Sequence, residues 1–164
     1  ASDPYVDTSV ATSLDVALVP LDDLLAEADI VTLHCPLTPE TANLMNADAF
    51  ARMKPGSVLV NTARGPIVDL VALDAALTDG RIAGAALDVF APEPLPLESS
   101  LFNHPTLIMS PHSAYYSERS VETVRRETLL GVIDVLRGFR PKVVANPAVL
   151  DYVALKHRPV DDGE

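Results

Sequence analysis

The chain has 164 residues, a length that suits one compact domain or at most a small pair of domains. Hydrophobic residues make up 48% and charged residues 21%, a composition typical of a globular protein rather than a disordered one. The formal net charge of −11 excludes nucleic acids and anionic membranes as favoured partners, because both carry charge of the same sign.

Neither a long apolar run nor a targeting motif is visible in the sequence, and its one cysteine cannot form an internal disulfide. We therefore expect a cytoplasmic, reduced protein that does not enter a membrane. Acidic residues dominate its beginning: residues 1–50 contain nine Asp or Glu and no Lys or Arg, a pattern typical of a solvated acidic surface.

Short apolar runs alternate with helical stretches along the chain. The run at 29–35 is rich in β-branched residues and closed by Pro36, which predicts a strand buried on both faces. Apolar residues at 21, 24, 25 and 28 follow the spacing of one helical face. On these criteria the predicted strands are 15–19, 29–35, 57–63, 82–90 and 106–110, and the predicted helices are 21–28, 47–53, 68–78 and 117–137.

Strands that alternate with helices predict βαβ units, a parallel sheet and the α/β fold class. Right-handed crossovers place helices on both faces of such a doubly wound sheet, and ligands bind at the carboxyl ends of its strands. The segments that follow the predicted strands are therefore the candidate functional segments: 34–36, 62–65, 88–93 and 110–112.

Three of these segments contain side chains that suit one reaction. Arg64 offers a planar, permanently charged fork for a carboxylate. His112 can exchange protons near neutral pH, and Glu93 can orient the imidazole and favour its protonated form. Together they can bind a 2-keto or 2-hydroxy acid and move a proton at its C2 oxygen, although by spacing alone a structural histidine and a helix-capping arginine remain open interpretations.

Longer strings in the sequence resemble the D-isomer-specific 2-hydroxyacid dehydrogenase family, to which phosphoglycerate and glyoxylate reductases belong. The resemblance runs from Asp3 to about Pro147, with the stretches in the family's order. It implies a Rossmann-type fold and hydride transfer between NAD(H) and a D-2-hydroxy or 2-keto acid. The stretches that carry it are LLAEADIVTLHCPLTPETANLMN (24–46), MKPGSVLVNTARGPIVD (53–69), GAALDVFAPEPLP (84–96) and SPH (110–112).

The resemblance implies a role for each strand-end residue. Arg64 matches the arginine that orients the substrate, His112 matches the catalytic histidine, and Glu93 matches the glutamate that pairs with that histidine. Asp88 corresponds to the aspartate that fixes the nicotinamide carboxamide. The full set expected at the cofactor is Asp3, His34, Cys35, Pro36, Thr62, Ala63, Arg64, Asp88 and His112. Core packing is the alternative for Cys35, and because no second His/Cys pair at ligand spacing exists, we expect no metal site.

Asp3 bears on the choice of cofactor. In dinucleotide-binding folds an acid at the end of the second strand accepts hydrogen bonds from the adenosine ribose hydroxyls and repels a 2′-phosphate. No Lys or Arg follows Asp3 until Arg52, so NAD is predicted in preference to NADP. The alternative is a turn aspartate that precedes Pro4.

The residues after His112 depart from many members of the family. They read Ser-Ala-Tyr-Tyr-Ser-Glu, closer to the C-terminal binding protein branch of NAD(H)-binding corepressors. The resemblance places Tyr115 at the substrate pocket, with packing near the start of a helix as the alternative. An NAD(H)-sensing, corepressor-like module or a non-catalytic remnant is therefore the second functional hypothesis beside the enzyme.

Two parts of the family fold have no counterpart in the sequence. The seven glycines contain no G-x-G-x-x-G spacing, and nothing resembles the substrate domain that comes first in the family. We therefore expect an incomplete Rossmann-type sheet that lacks the first βαβ unit and the N-terminal substrate domain. Residues 1–140 are assigned to a partial dinucleotide-binding domain, and 141–164 to a segment that returns to the substrate domain. The chain alone is expected to be inactive, and the complete protein to be a homodimer.

Overall fold

The computed structural model describes residues 1–157, which form two compact units that divide between Ala114 and Tyr115. The end of the segment predicted to return to a substrate domain, residues 158–164, lies outside the described residues. The boundary predicted at residue 140 concerns the domains of a larger protein and stays a prediction.

A four-stranded parallel sheet organises the first unit. The strands lie side by side in the order β1-β2-β3-β4, so every connection is a parallel crossover and all carboxyl ends lie at one edge. This confirms the predicted α/β class. The elements are α1 Thr8–Ser13, α2 Leu21–Glu27, β1 Ile30–Leu33, α3 Ala47–Arg52, β2 Val58–Asn61, a 3-10 turn at Gly65–Ile67, α4 Leu70–Thr78, β3 Gly84–Leu87, a 3-10 turn at Ser100–Asn103 and β4 Leu107–Met109.

Side-chain caps and a glycine set the limits of α4. The carboxylate of Asp69 accepts hydrogen bonds from the N–H groups of Val71 and Ala72, which leaves fewer unpaired donors in the first turn. At the other end Gly80 takes a φ of +65°, the left-handed conformation that glycine adopts without steric cost. The helix therefore begins and ends where the sequence places these two residues.

The hydrophobic core of the first unit lies on one face of the sheet. Val31 and Leu33 of β1 are buried among side chains of α2, α3 and α4, among them Leu25. The alternate residues face outward: Ile30 is 64% exposed, and Ile108 of β4 is 72% exposed. The prediction that the strand at 29–35 is buried on both faces is therefore wrong, because β1 is an edge strand whose alternate residues are exposed.

The predicted strand at 15–19 is also absent, and its segment is extended without a continuous ladder. The N-terminal ammonium of Ala1 donates to the carbonyl of Ala17 at 2.6 Å, and the N–H of Val19 donates to the carbonyl of Ala1 at 2.9 Å. This exchange is a single parallel pairing, and a strand needs a run of such pairs. Residues 16–19 are apolar, as a strand requires, but among the described residues only Ala1 pairs with their backbone.

The second unit contains α5, which spans Glu118–Leu136, and a 3-10 turn at Pro147–Asp151. Ser117 and Ser120 form a reciprocal capping box at the start of α5, and Gly138 follows its last turn with a φ of +78°. The helix predicted at 117–137 is thereby confirmed. Within residues 1–157, no helix combines the length and apolar character needed to cross a membrane.

Candidate active site

The carboxyl edge of the sheet brings three of the predicted segments together. β2, β3 and β4 are neighbours in the sheet, and each is followed at this edge by a turn that carries one to three predicted residues. Arg64 follows β2, Asp88 and Glu93 follow β3, and His112 follows β4. Parallel pairing therefore collects side chains that lie up to 48 positions apart in the sequence, from Arg64 to His112.

His112 and Glu93 form a hydrogen-bonded pair. Nδ1 of His112 lies 2.9 Å from Oε2 of Glu93, and the second carboxylate oxygen, Oε1, accepts from the N–H of Phe90 at 2.7 Å. The side chains of His112 and Glu93 are 50% and 37% exposed, so both meet solvent and stay accessible to a small molecule. Nε2 of His112 has no hydrogen-bond partner within residues 1–157, which leaves this nitrogen available for proton exchange.

The pKa of the Glu93 carboxyl is lowered from its ordinary value. Its hydrogen bond with His112 is the largest cause and the N–H of Phe90 is the next, while partial burial acts in the opposite direction. The charge of His112 adds a smaller lowering, and that of Asp88 a small raising. Glu93 is therefore held as a carboxylate, the form that can orient and stabilise an imidazolium.

This lowered pKa predicts how the pair responds to acid. Because the pKa is lower in the folded chain than in the unfolded one, the stabilisation from Glu93 is complete above the ordinary pKa of 4.5. It is lost as pH falls through the lowered pKa. We expect the difference in unfolding free energy between the native chain and Glu93→Gln to diminish as the pH falls through the lowered pKa of Glu93 and to be smallest in acid. Urea denaturation at a series of pH values measures it, with Glu98→Gln on the same loop as the matched control; a difference that stays undiminished in strong acid contradicts the assignment.

Asp88 holds the turn that presents His112. Its buried carboxylate accepts from the hydroxyl of Ser110 at 2.5 Å and from the N–H groups of Ser113 and Ala114 at 2.8 and 2.9 Å. Its carbonyl oxygen accepts from the N–H of His112 at 2.9 Å. His112 has a φ of +53°, a left-handed conformation that costs a non-glycine residue roughly 1–2 kcal/mol. The contacts from Asp88 stabilise this unfavourable conformation.

Burial is the largest single influence on the pKa of Asp88, and it acts to raise that pKa. The hydrogen bonds from Ser110, Ala114 and Ser113, with a smaller effect of the charge on His112, outweigh burial and lower the pKa overall. Asp88 is therefore an anion inside the turn. The predicted contact of Asp88 with a nicotinamide carboxamide stays a prediction.

Asn61, which is not among the predicted site residues, shapes the turn that carries Arg64. Asn61 is fully buried at the end of β2; its Nδ2 donates to the carbonyl of Arg64 at 3.0 Å, and its Oδ1 accepts from the N–H of Ala63 at 3.0 Å. The guanidinium of Arg64 is exposed and donates only to the carbonyl of Ala63 within residues 1–157. Its charge is free to pair with an anionic ligand. A polar residue that ends an otherwise apolar strand is the signal that identifies Asn61 in the sequence.

Gly65 allows the turn after β2 to touch the loop after β3. A methyl group built on Gly65 would lie 1.9 Å from the carbonyl oxygen of Phe90, far inside van der Waals contact. The two backbones therefore approach more closely than any side chain permits. This approach brings the backbone beside Arg64 against the loop that carries Glu93.

A cleft of about 590 Å³ opens at the carboxyl ends of β1 and β2. That volume lies in the range of small-molecule and cofactor sites. The cleft combines apolar surface with a histidine, a threonine hydroxyl and an arginine. Small-molecule and cofactor sites are typically lined in this way, by apolar residues with a few polar groups. The lining residues of this cleft are His34, Cys35, Pro36, Leu37, Thr62, Ala63 and Arg64. Six of the residues predicted at the cofactor thus line one cleft, and Leu37 is an addition to them.

The remaining predicted residues lie elsewhere. Asp3 is exposed, and its Oδ1 accepts from the N–H groups of Tyr5 and Val6 at 2.8 and 3.2 Å. Tyr115 belongs to the second unit, where its exposed ring packs edge-on against Tyr116 with ring centroids 5.9 Å apart. The roles of Asp3 at a ribose and of Tyr115 at a substrate stay predictions. Among the described residues, no group of three or more His, Cys, Asp or Glu side chains is arranged to hold a metal ion.

The chain is similar to proteins of known activity. The family model described as "D-isomer specific 2-hydroxyacid dehydrogenase, NAD binding domain" matches residues 1–114. D-3-phosphoglycerate dehydrogenase from Synechocystis sp. is 42% identical over 160 residues, which cover 97% of this chain and 29% of that protein. Glyoxylate reductase from Thermofilum pendens is 42% identical over 141 residues, which cover 86% of this chain and 40% of that protein.

Solved structures show the same likeness. The TT0316 protein from Thermus thermophilus superposes with a TM-score of 0.81 and 36% identity, covering 88% of this chain and 45% of that one. D-lactate dehydrogenase with NAD+ from Lactobacillus jensenii superposes with a TM-score of 0.78 and 32% identity, covering 88% of this chain and 47% of that one. The chain thus spans less than half the length of these relatives.

Proposed function

This chain belongs to the D-isomer specific 2-hydroxyacid dehydrogenase family and contains the family's NAD-binding domain, and on that premise we propose that it acts within a longer NAD-dependent oxidoreductase. In this proposal a hydride passes between NAD(H) and C2 of a D-2-hydroxy or 2-keto acid. The observation that carries the proposal is the His112–Glu93 pair, which shares one sheet edge with the unpaired guanidinium of Arg64.

Each of these residues has a distinct task. Arg64 binds the carboxylate of the substrate and orients its C2 carbon. Nε2 of His112 removes the proton of the C2 hydroxyl during oxidation and returns a proton to the carbonyl oxygen during reduction. Glu93 keeps Nδ1 of His112 protonated, so that Nε2 is the nitrogen that exchanges, and it stabilises the imidazolium. NAD(H), when bound, accepts or supplies the hydride.

The cleft at the ends of β1 and β2 fits the proposed cofactor. Its apolar residues, Cys35, Pro36 and Leu37, offer surface to a flat ring, while Thr62 and Arg64 offer polar contacts. Asp3 retains one carboxylate oxygen without a hydrogen bond in the described part of the chain, and we assign this oxygen to a ribose hydroxyl. That acid, with no nearby Lys or Arg in the sequence, supports NAD over NADP.

The greater length of the relatives supports the proposal that this chain acts within a longer protein. Because this chain covers 29% of the similar phosphoglycerate dehydrogenase and 40% of the similar glyoxylate reductase, we propose that substrate specificity depends on residues outside it. Residues 1–140 would form part of the dinucleotide-binding domain, and residues 141–164 would return to a substrate domain. We further propose a cytoplasmic homodimer, in which Tyr115 faces the substrate. Phosphoglycerate, glyoxylate and D-lactate are the substrate classes that the names of the relatives suggest.

The test compares the longer protein with the chain alone. We expect His112→Ala in the longer protein to lower kcat with a 2-keto acid by about 10²–10⁴-fold, the usual contribution of general acid–base catalysis. NADH affinity, measured by fluorescence titration, should stay within about twofold. His157→Ala, which removes an exposed histidine of the second unit, is the matched control.

Three outcomes separate the hypotheses. An unchanged kcat in His112→Ala excludes the assigned role of that residue. Turnover of a 2-keto acid by the isolated 164-residue chain contradicts the proposal that it depends on a longer protein. NADH binding by the longer protein, without turnover of any acid in a panel of 2-keto acids, indicates the NAD(H)-sensing, corepressor-like module instead.

A further inference from the structure

A cluster of three polar side chains lies outside the residues that the proposed reaction uses. Nε2 of His104 lies 2.5 Å from Oδ1 of Asp74, and the hydroxyl of Ser100 donates to Oδ2 of Asp74 at 2.8 Å. Asp74 belongs to α4, whereas Ser100 and His104 belong to the β3–β4 loop, residues 88–106. Both carboxylate oxygens of Asp74 in α4 therefore bind side chains of the β3–β4 loop.

The cluster is more sheltered than an ordinary surface ion pair. The side chains of His104 and Asp74 are only 15% and 31% exposed, and they lie 30 positions apart in the sequence. The pKa of Asp74 is lowered, first by its hydrogen bond with His104 and then by that with Ser100, against a small effect of burial. The carboxylate thus stays charged, and it accepts from His104 whether the imidazole is neutral or protonated.

The loop that the cluster holds is the loop that carries Glu93. Within this loop Glu93 contacts the N–H of Phe90, which precedes it, and beyond the loop it contacts His112. Leu95, two residues after Glu93, packs partly buried against the core, and residues 96–98 that follow are exposed. The path of the loop beyond Leu95 therefore depends on where its returning half is fixed. Leu101, buried in the core, and the contacts of Asp74 fix that half.

We propose that Asp74, Ser100 and His104 form a latch that positions Glu93 against His112 by fixing the returning half of the β3–β4 loop on α4. An effect of the latch on catalysis rests on the proposed function of the His112–Glu93 pair. Its effect on the position of Glu93 does not depend on that function. When the latch is broken, a longer stretch of loop is free to move, and Glu93 samples positions away from the N–H of Phe90. These three residues are therefore positioning residues that never touch the substrate.

Amide hydrogen exchange at Phe90 tests the latch directly, because the N–H of Phe90 is the donor to Glu93. In the full 164-residue chain, NMR-detected exchange at Phe90 should rise about tenfold or more in Asp74→Ala and in His104→Ala. Exchange at the amides of β2 should stay unchanged. His104→Gln, which retains a donor for Asp74, should restore exchange at Phe90 to within about twofold of the native rate. Glu98→Gln, on the same loop, is the matched control and should leave the rate unchanged.

The opposing results are equally definite. Faster exchange at residues 100–104 with an unchanged rate at Phe90 shows that the contacts of Asp74 hold only the adjacent part of the loop, and this result overturns the proposal. A uniform rise that includes β2 shows general destabilisation and also overturns it, as does a failure of His104→Gln to restore the rate. None of these measurements requires turnover. If the exchange results are as expected but the longer protein has no dehydrogenase activity, the latch stands and only the proposed function is contradicted.

Discussion

Gly65→Ala is expected to destabilise the first unit by about 3 kcal/mol or more, although it adds only one methyl group. The new carbon would lie 1.9 Å from the carbonyl oxygen of Phe90 and 2.1 Å from its carbonyl carbon. Both are backbone atoms, so no side-chain rotation relieves the overlap, and the turn after β2 must separate from the loop after β3. Arg64 then moves away from the loop that carries Glu93, and we expect activity of the longer protein to fall with stability.

Urea denaturation measures the loss in stability, and Gly80→Ala supplies the matched control in the same unit. Gly80 has a φ of +65°, but a methyl group built on it would meet no heavy atom within 4 Å, so its substitution introduces backbone strain without overlap. We expect that control to cost about 1 kcal/mol. A loss in Gly65→Ala no larger than in Gly80→Ala would show that the two backbones separate freely.

Asp88→Ala is expected to have the second largest effect on stability, a loss of about 3 kcal/mol together with disordering of the turn that presents His112. The substitution removes the acceptor of three hydrogen bonds, from Ser110, Ser113 and Ala114. Two of the donors are backbone N–H groups, which then need new partners. Without the carboxylate, the left-handed backbone of His112 keeps its own N–H bond to the carbonyl of residue 88 but loses the bonds that fix the residues on either side, and it relaxes toward ordinary conformations.

Asp88→Asn separates the charge of the carboxylate from its geometry. The amide keeps one oxygen for both Ser110 and Ser113 but presents a donor where the N–H of Ala114 needs an acceptor. We therefore expect a loss between zero and that of Asp88→Ala, with Asp79→Asn on the surface as the control. The ring signals of His112 in NMR spectra report the turn, and unchanged signals in Asp88→Ala refute the positioning role of Asp88.

Much of the fold follows from local patterns in the sequence. The runs around the four strands are apolar, those of β1 and β2 are also rich in β-branched residues, and the spacing in α4 and α5 is helical, so the existence of these elements is predictable. Residues 15–19 have the same apolar character but find one partner in Ala1, so a pattern of side chains cannot decide whether a ladder forms. The short helix α1, with β-branched residues and a cap at Asp7, gives no periodic signal.

The candidate site likewise contains features that local sequence predicts and features that it does not. The placement of Arg64, Glu93 and His112 at one edge of the sheet was predictable, because parallel strands deliver their following residues to one edge. The close approach at Gly65, the left-handed backbone of His112 and the contacts of Asp74 depend on residues distant in the sequence. Only the folded chain brings these partners together, and no local propensity encodes them.

The exposed outward residues of the two edge strands bear on the heat capacity of unfolding. The heat-capacity increase on unfolding arises from apolar surface that enters water, and for 164 average residues it amounts to about 2 kcal/mol per kelvin. Ile30 and Ile108 already meet water in the folded chain, so they add little to this increase. These two side chains therefore contribute little to the curvature of the stability curve, which the buried residues of the core determine instead.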